Sequence, residues 1–231
     1  MSSNSTVCPS IVEDVAGDNR WMFMHQRFVA EAEEKEPDVV LLGDALFSQL
    51  HVAEIWNKMF APLHCLNFSI DGDKTENVLW RCQNGELDNI SPQVVVVCAG
   101  TDNSSNSSEE TYEGILAIVN VIRQKQPQAH IVVVSIPPRG RTHNSLREKI
   151  GKINIMLDKG LEKLERTQLL SIDPGLFINP YDGTISHQDM YDYLHFTAAG
   201  YEKFCEPILE EIQILLKDFL KSGHLSDDPL S

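Results

Sequence analysis

The sequence predicts an α/β fold built on a five-stranded parallel sheet. Five short apolar runs of strand length alternate with segments whose apolar residues recur at helical spacing. The longest of these runs, 94–99 and 131–134, are entirely apolar, which is typical of parallel strands buried on both faces. Strands that alternate with helices favour a parallel sheet covered by helices on both faces.

The order of the elements follows from the same pattern. A first helix is predicted over 20–34, where Trp21, Met24 and Phe28 share one face. The predicted strands lie at 39–42, 64–68, 94–99, 130–136 and 168–172. The helices that follow them are predicted at 44–60, 75–84, 109–126, 146–165 and 197–220.

Length and charge limit the domain organisation and the class of partner. The 231 residues suit one well-buried domain, expected over 19–221, with a flexible arm over 1–18 and a disordered tail over 222–231. A formal net charge of −15 argues against nucleic acid or an anionic membrane as the main partner, since both require a basic face. With no signal-peptide pattern and no membrane-length apolar run, we expect a cytoplasmic protein with buried free thiols.

The most informative stretch is the apolar run 39–42 together with the residues that follow it. An unbroken apolar run that ends in glycine is typical of a buried strand leading into a tight strand-to-helix turn. Gly43 permits close backbone approach, and Asp44 is expected to cap the next helix. The side chain offered at the tip of this turn is the methyl group of Ala45, which has no chemistry of its own.

Polar residues after the other strands are expected to gather at the same edge of the sheet. They include Asp71 and Gly72 after the second strand and Asp102 after the third. In the long loop at 182–195, Asp192 precedes His195 by three residues, just ahead of the last helix. This spacing can place the carboxylate beside the imidazole and orient the ring as a general base.

These features, with several longer stretches, carry a resemblance to a known family. The stretches are GDNRW (17–21), EIW (54–56), PLHCLNF (62–68), VLWR (78–81), NGEL (84–87), QPQA (126–129), PRG (138–140) and DGTISHQDMYDYLH (182–195). They resemble the SGNH (GDSL-type) hydrolases, and among them the α subunits of the intracellular type Ib platelet-activating-factor acetylhydrolases. The resemblance implies a three-layer, flavodoxin-like α/β/α fold without a cofactor or metal. It also implies a homodimer and a lissencephaly-type WD-repeat dynein regulator as partner.

The resemblance assigns catalytic roles to three of the residues above. The family's nucleophilic serine matches Ala45, whereas its Asp and His match Asp192 and His195. The chain therefore keeps a vestigial dyad of base and orienting carboxylate, but the nucleophile is missing. Loss of such a nucleophile costs on the order of 10⁶ in kcat. A catalytically inactive homologue is predicted.

The family's oxyanion hole is altered as well. Its glycine matches Gly72, its asparagine matches Asp102, and the glycine that precedes Gly72 in the family is Asp71 here. Acidic side chains thus stand where the family stabilises a developing negative charge. An engineered serine-to-alanine exchange would account for Ala45, but it would not account for the two acidic replacements.

Other interpretations stay open. Water activated by His195 could sustain slow hydrolysis of an acetyl ester, for example of platelet-activating factor. Asp71, Asp102 and His195 could converge on a hard cation, although their spacing does not demand it. The pocket could also bind a lipid without cleaving it. Ser48 lies about one helical turn (~5 Å) too far along the helix to replace the nucleophile.

Overall fold

The computed structural model describes residues 4–224, and its centre is a five-stranded parallel sheet in the order β2-β1-β3-β4-β5. The strands are β1 (Val39–Gly43), β2 (Cys65–Ser69), β3 (Val94–Cys98), β4 (His130–Val134) and β5 (Thr167–Leu170). Every residue of β1 and β3 is buried, because helices cover both faces of these central strands. The predicted five-stranded parallel sheet is confirmed.

Helices connect the strands and form the two outer layers. They are α1 (Arg20–Glu34), α2 (Ala45–Ser48), α3 (Thr75–Gln83), α4 (Ser108–Lys125), α5 (Ser145–Leu161) and α6 (Ala198–His224). The chain moves from β1 to one edge of the sheet and then crosses back to β3 on the other side of β1. Right-handed crossovers in these opposite directions place α2 and α3 on opposite faces. The result is the three-layer, flavodoxin-like arrangement.

The single helix predicted over 44–60 is wrong. The helix α2 ends at Ser48, where the Ser48 hydroxyl donates to the carbonyl of Ala45 at 2.9 Å and His51 Nδ1 lies 2.9 Å from the carbonyl of Ser48. Side chains thus occupy carbonyls that a continuing helix would use. The chain goes on in short turns: two 3₁₀ turns at Leu50–Val52 and Ala61–Leu63, and a π-helical turn at Trp56–Phe60.

Within residues 4–224, parts of the predicted arm and tail have secondary structure or defined contacts. Thr6, in the predicted arm, is fully buried and donates a hydrogen bond to the carbonyl of Glu110 at 2.5 Å. The amide of Ser10 donates to the carbonyl of Glu76 at 3.1 Å. The helix α6 continues into the predicted tail over 222–231, and residues 225–231 lie outside the described residues.

A buried arginine joins the carboxyl ends of two strands. Arg81, on α3, is fully buried and donates to the carbonyls of Gly43 and Phe68, each at 3.0 Å. Its guanidinium group pairs with two carboxylates, Asp73 at 2.8 Å and Glu86 at 2.6 Å. The arginine therefore fixes the positions at which β1 and β2 deliver the loops that follow them.

The sequence also led to expectations about membrane-spanning helices and about the cysteines. Within residues 4–224, no helix combines the length and the apolar character needed to cross a bilayer. All five cysteines are free, and four are buried as predicted, but Cys8 is exposed. The cytoplasmic location stays a prediction.

Candidate active site

The register of the sheet brings three strand ends together. Gly43 lies opposite Ser69 on one side and Cys98 on the other. A Cβ atom on Gly43 would lie 2.6 Å from the carbonyl oxygen of Cys98, so only glycine fits at this position. The loops after β1, β2 and β3 therefore leave the sheet side by side, as the sequence predicted.

The turn after β1 holds a buried carboxyl group beside a methyl group. Asp44 accepts hydrogen bonds from the amides of Leu46 at 3.2 Å and Thr101 at 3.0 Å, which confirms that it caps α2. Burial, with the negative charge of Asp102, raises the pKa of Asp44 to about 8. Ala45, the first residue of α2, is buried and offers neither a nucleophile nor a proton.

Asp192, His195 and Asp71 form a continuous hydrogen-bonded chain. His195 Nδ1 lies 2.7 Å from Asp192 Oδ2, and His195 Nε2 lies 3.0 Å from Asp71 Oδ1. The other oxygen of Asp192 accepts from the backbone amides of His195 at 2.8 Å and Leu194 at 3.1 Å. The predicted Asp–His spacing thus produces the predicted contact, but the second carboxylate on the ring was not predicted.

The two carboxylates favour a positively charged ring. A neutral imidazole has only one N–H, so both nitrogens donate to carboxylates only when the ring is protonated. Burial alone would lower the pKa of His195, but hydrogen bonds to Asp71 and Asp192 and their charges outweigh it and raise the pKa. Burial opposes ionisation of Asp192 too, yet its hydrogen bonds with His195 hold the pKa of Asp192 below its usual value.

Asp102 lies at the same edge and pairs with an arginine that sequence reasoning missed as a site residue. Arg139 Nη1 lies 3.5 Å from Asp102 Oδ1 and donates to the carbonyl of Thr101 at 2.8 Å. Burial raises the pKa of Asp102, the charge of Arg139 opposes this shift, and the charge of Asp71 adds to it. The only sequence signal for Arg139 was its place in the PRG stretch at 138–140.

The long loop at 182–195 is held in place by a second arginine that sequence reasoning also missed. Arg147 donates to the carbonyls of Gly140 at 2.6 Å and Gly183 at 2.7 Å, which joins this loop to the one after β4. Tyr191 stacks on the His195 ring with centroids 5.7 Å apart. The ring of His195 is therefore fixed by contacts on its face as well as at both nitrogens.

A cavity of about 800 Å³ adjoins these residues. Its lining includes Ser69, Asp71 and Gly72 from the end of β2, Trp21 from α1, and the N-terminal segment 11–16. The hydroxyl of Ser69 is buried there and has no hydrogen-bond partner among the described residues. Gly72 adopts a φ of +81°, a conformation that glycine accepts without strain.

Across residues 4–224, no cluster of three or more His, Cys, Asp or Glu side chains is arranged to hold a metal ion.

This architecture is that of the GDSL-type hydrolases. A GDSL-like lipase from Bacteroides thetaiotaomicron shares the fold with a TM-score of 0.69 at 16% identity, covering 82% of this chain and 97% of that one. A carbohydrate acetylesterase from Sinorhizobium meliloti shares it with a TM-score of 0.60 at 13% identity, covering 78% of this chain and 100% of that one.

The chain belongs to the GDSL-like lipase/acylhydrolase family, whose model matches residues 33–203. Within that family it is similar to the platelet-activating factor acetylhydrolase IB subunits. The human subunit alpha2 is 49% identical over 216 residues, which is 94% of this chain and 93% of the relative. The subunit beta homolog of Drosophila melanogaster is 49% identical over 215 residues, which is 93% of this chain and 95% of the relative.

The hydrogen bond that Asp71 accepts from His195 affects a titration that can be measured. We expect Asp71→Asn to lower the pKa of His195, because the neutral amide removes one of the two charges that stabilise the protonated ring. Stability from the protonated ring is complete below the unfolded pKa of about 6.5 and is lost as the pH rises through the higher folded value. The substitution should therefore move this loss to lower pH.

The pKa of His195 can be followed by NMR through the chemical shift of its ring Cε1–H group. Asp182→Asn is the matched control, since Asp182 is exposed, lies in the same loop and accepts hydrogen bonds from Thr184 instead of His195. An equal fall in pKa in both variants would contradict a specific Asp71–His195 contact.

Proposed function

We propose that this chain is a catalytically silent member of its family that acts as a homodimeric binding partner. The observation that carries the proposal is that His195 Nε2 is already occupied by a carboxylate: it lies 3.0 Å from Asp71 Oδ1. In a hydrolase triad this nitrogen must be free to take the proton of the nucleophile. Here the residue assigned to the nucleophile by family resemblance, Ala45, has no proton to give.

The energetic barriers to hydrolysis reinforce one another. A missing nucleophile costs on the order of 10⁶ in kcat. Loss of one oxyanion-hole donor costs about 3 kcal/mol more, and Asp102 cannot supply that donor while it is ionised. The slow hydrolysis by activated water considered above also needs an unprotonated His195, which the two neighbouring carboxylates oppose.

Catalytic silence is tested by incubating the chain with an organophosphate and recording its intact mass, alongside an acetyl-release assay with platelet-activating factor. We expect neither a covalent adduct nor release of acetate above the rate in buffer. A known serine hydrolase serves as the positive control for the reagent. Acetate release that disappears in His195→Ala would overturn the proposal.

The partner proposed is a lissencephaly-type WD-repeat protein. Support comes from the resemblance and from relatives that are named as subunits. The net charge of −15 complements a basic protein surface. On size-exclusion chromatography with light scattering, we expect a dimer that co-elutes with the WD-repeat protein. Separate elution of the two proteins at micromolar concentration would exclude this partner.

A lipid-binding role is the second candidate, and the cavity of about 800 Å³ beside Asp71 favours it. We expect an acetylated ether phospholipid below its critical micelle concentration to give saturable heat in isothermal titration, without turnover. No binding at concentrations up to that limit would exclude this candidate.

A further inference from the structure

We propose that the groove between the π-helical turn Trp56–Phe60 and α6 is a docking site for a basic amphipathic helix of another protein. The groove has a volume of about 640 Å³, and its lining includes none of the candidate active-site residues. The inference therefore does not depend on whether the chain is catalytically silent. Single-turn π-helical segments are frequent at functional sites, which makes this wall of the groove notable.

The floor of the groove is apolar. It consists of Ile55 and Met59, contributed by the irregular segment after α2, and Leu209 of α6. Met59 is 40% exposed, although it is a large apolar side chain next to a groove. Methionine adapts its shape to irregular partners and is common on surfaces that bind amphipathic helices. An apolar side chain from a partner would therefore be accommodated here.

One wall of the groove is a ridge of glutamates on α6. Glu202, Glu206 and Glu210 are all exposed and are spaced four residues apart, so they lie on one face of the helix. Like charges at this spacing weaken a helix. A basic partner would relieve that repulsion on binding.

Two lysines also line the groove, and each pairs with a carboxylate. Lys58 pairs with Glu54 at 2.7 Å and Lys203 pairs with Asp189 at 2.8 Å. In the region from residue 4 to residue 224, no ion pair involves Glu206 or Glu210. Glu206 and Glu210 therefore keep uncompensated negative charge next to the apolar floor, whereas the charge of Lys58 partly offsets that of Glu202.

The charge and length of the ridge define the occupant. From Glu202 to Glu210 the helix rises by about 12 Å, at 1.5 Å per residue. A partner helix with Lys or Arg at the same four-residue spacing can place one cation opposite each glutamate. Apolar residues on its neighbouring stripe would then enter the floor.

Other occupants fit this groove less well. A second copy placed symmetrically would bring the same acidic ridge against itself, because a two-fold interface joins identical patches. An anionic membrane surface would be repelled by the glutamates. The net charge of −15 would in contrast speed the approach of a basic helix.

The test uses the full chain and a labelled synthetic helical peptide with Lys at three positions four residues apart, flanked by a Leu/Met stripe. A second peptide has the same composition, with its lysines distributed around the helix. By fluorescence anisotropy, we expect the patterned peptide to bind at least tenfold more tightly than the second one. The double substitution Glu206→Lys/Glu210→Lys should weaken its binding at least tenfold.

The matched control is Glu162→Lys/Glu165→Lys, which makes the same change in net charge at exposed positions outside the groove. Met59→Glu tests the floor, and circular dichroism confirms that each variant is folded. Equal loss of binding in the control, or equal binding of the two peptides, would overturn the proposal in favour of general charge attraction. A change of oligomeric state in Glu206→Lys/Glu210→Lys would also overturn it, because the occupant would then be a second copy.

Discussion

The triple variant Ala45→Ser/Asp71→Gly/Asp102→Asn is expected to react with an organophosphate and to release acetate from an acetyl ester. The serine supplies the nucleophile, whose presence is worth on the order of 10⁶ in kcat in comparable triads. The glycine frees His195 Nε2 from the contact with Asp71 at 3.0 Å. The asparagine supplies an amide donor at the position that the family resemblance assigns to the oxyanion hole, and such a donor contributes about 3 kcal/mol.

The single variant Ala45→Ser is the informative comparison. We expect it to react at least ~10²-fold more slowly than the triple variant, because Asp102 still stands where the family resemblance places the oxyanion-hole asparagine. Asp71 also still contacts His195 Nε2, the nitrogen that must accept the proton. Intact mass over time, with the reaction site mapped to residue 45, measures both. His195→Ala in the triple variant should abolish labelling. If Ala45→Ser alone reacts as fast as the triple variant, Asp71 and Asp102 are not obstacles to catalysis.

Arg81→Met is expected to lower the free energy of unfolding by about 3–5 kcal/mol, since removing one partner from a buried ionic cluster leaves uncompensated charge. Asp73 and Glu86 would lose their shared cation, and the carbonyls of Gly43 and Phe68 would lose their donor. Urea denaturation followed by tryptophan fluorescence measures the change.

Arg27→Met is the control for this experiment, because Arg27 forms an exposed i,i+4 pair with Glu31. Such pairs contribute only about 0–1 kcal/mol. Adding Asp73→Asn and Glu86→Gln to Arg81→Met should recover part of the loss, since the uncompensated charges disappear. A urea midpoint for Arg81→Met equal to that of Arg27→Met would show that the cluster contributes little to stability.

Most of the sheet was predictable because each strand carries its own local signal. Val94–Cys98 is apolar throughout and flanked by polar loops, so its period and length identify it without tertiary information. The segment after α2 was not predictable in this way. Its apolar spacing suits a helix, but the hydrogen bonds of Ser48 and His51 end that helix early.

In the candidate site too, contacts between residues near in sequence were predictable and contacts between distant residues were not. The contact between Asp192 and His195 joins residues three apart, so spacing alone could predict it. The contact between Asp71 and His195 joins residues 124 apart in the sequence. Strand order places the loops of Asp71 and His195 at one edge of the sheet. The directions of the two side chains, which strand order does not give, decide that Asp71 contacts Nε2 of His195. Pairing of Asp102 with Arg139 was missed for the same reason.

The anchoring of Thr6 and Ser10 has a consequence for how this molecule can evolve. These two residues attach the N-terminal segment to α3 and α4, and the segment then forms one wall of the large cavity. Its apolar residues Ile11 and Val15 are 53% and 87% exposed, so they contribute little to the core. Mutations there can reshape the cavity at little cost in folding free energy. The shape of this cavity and the stability of the fold therefore depend largely on different residues.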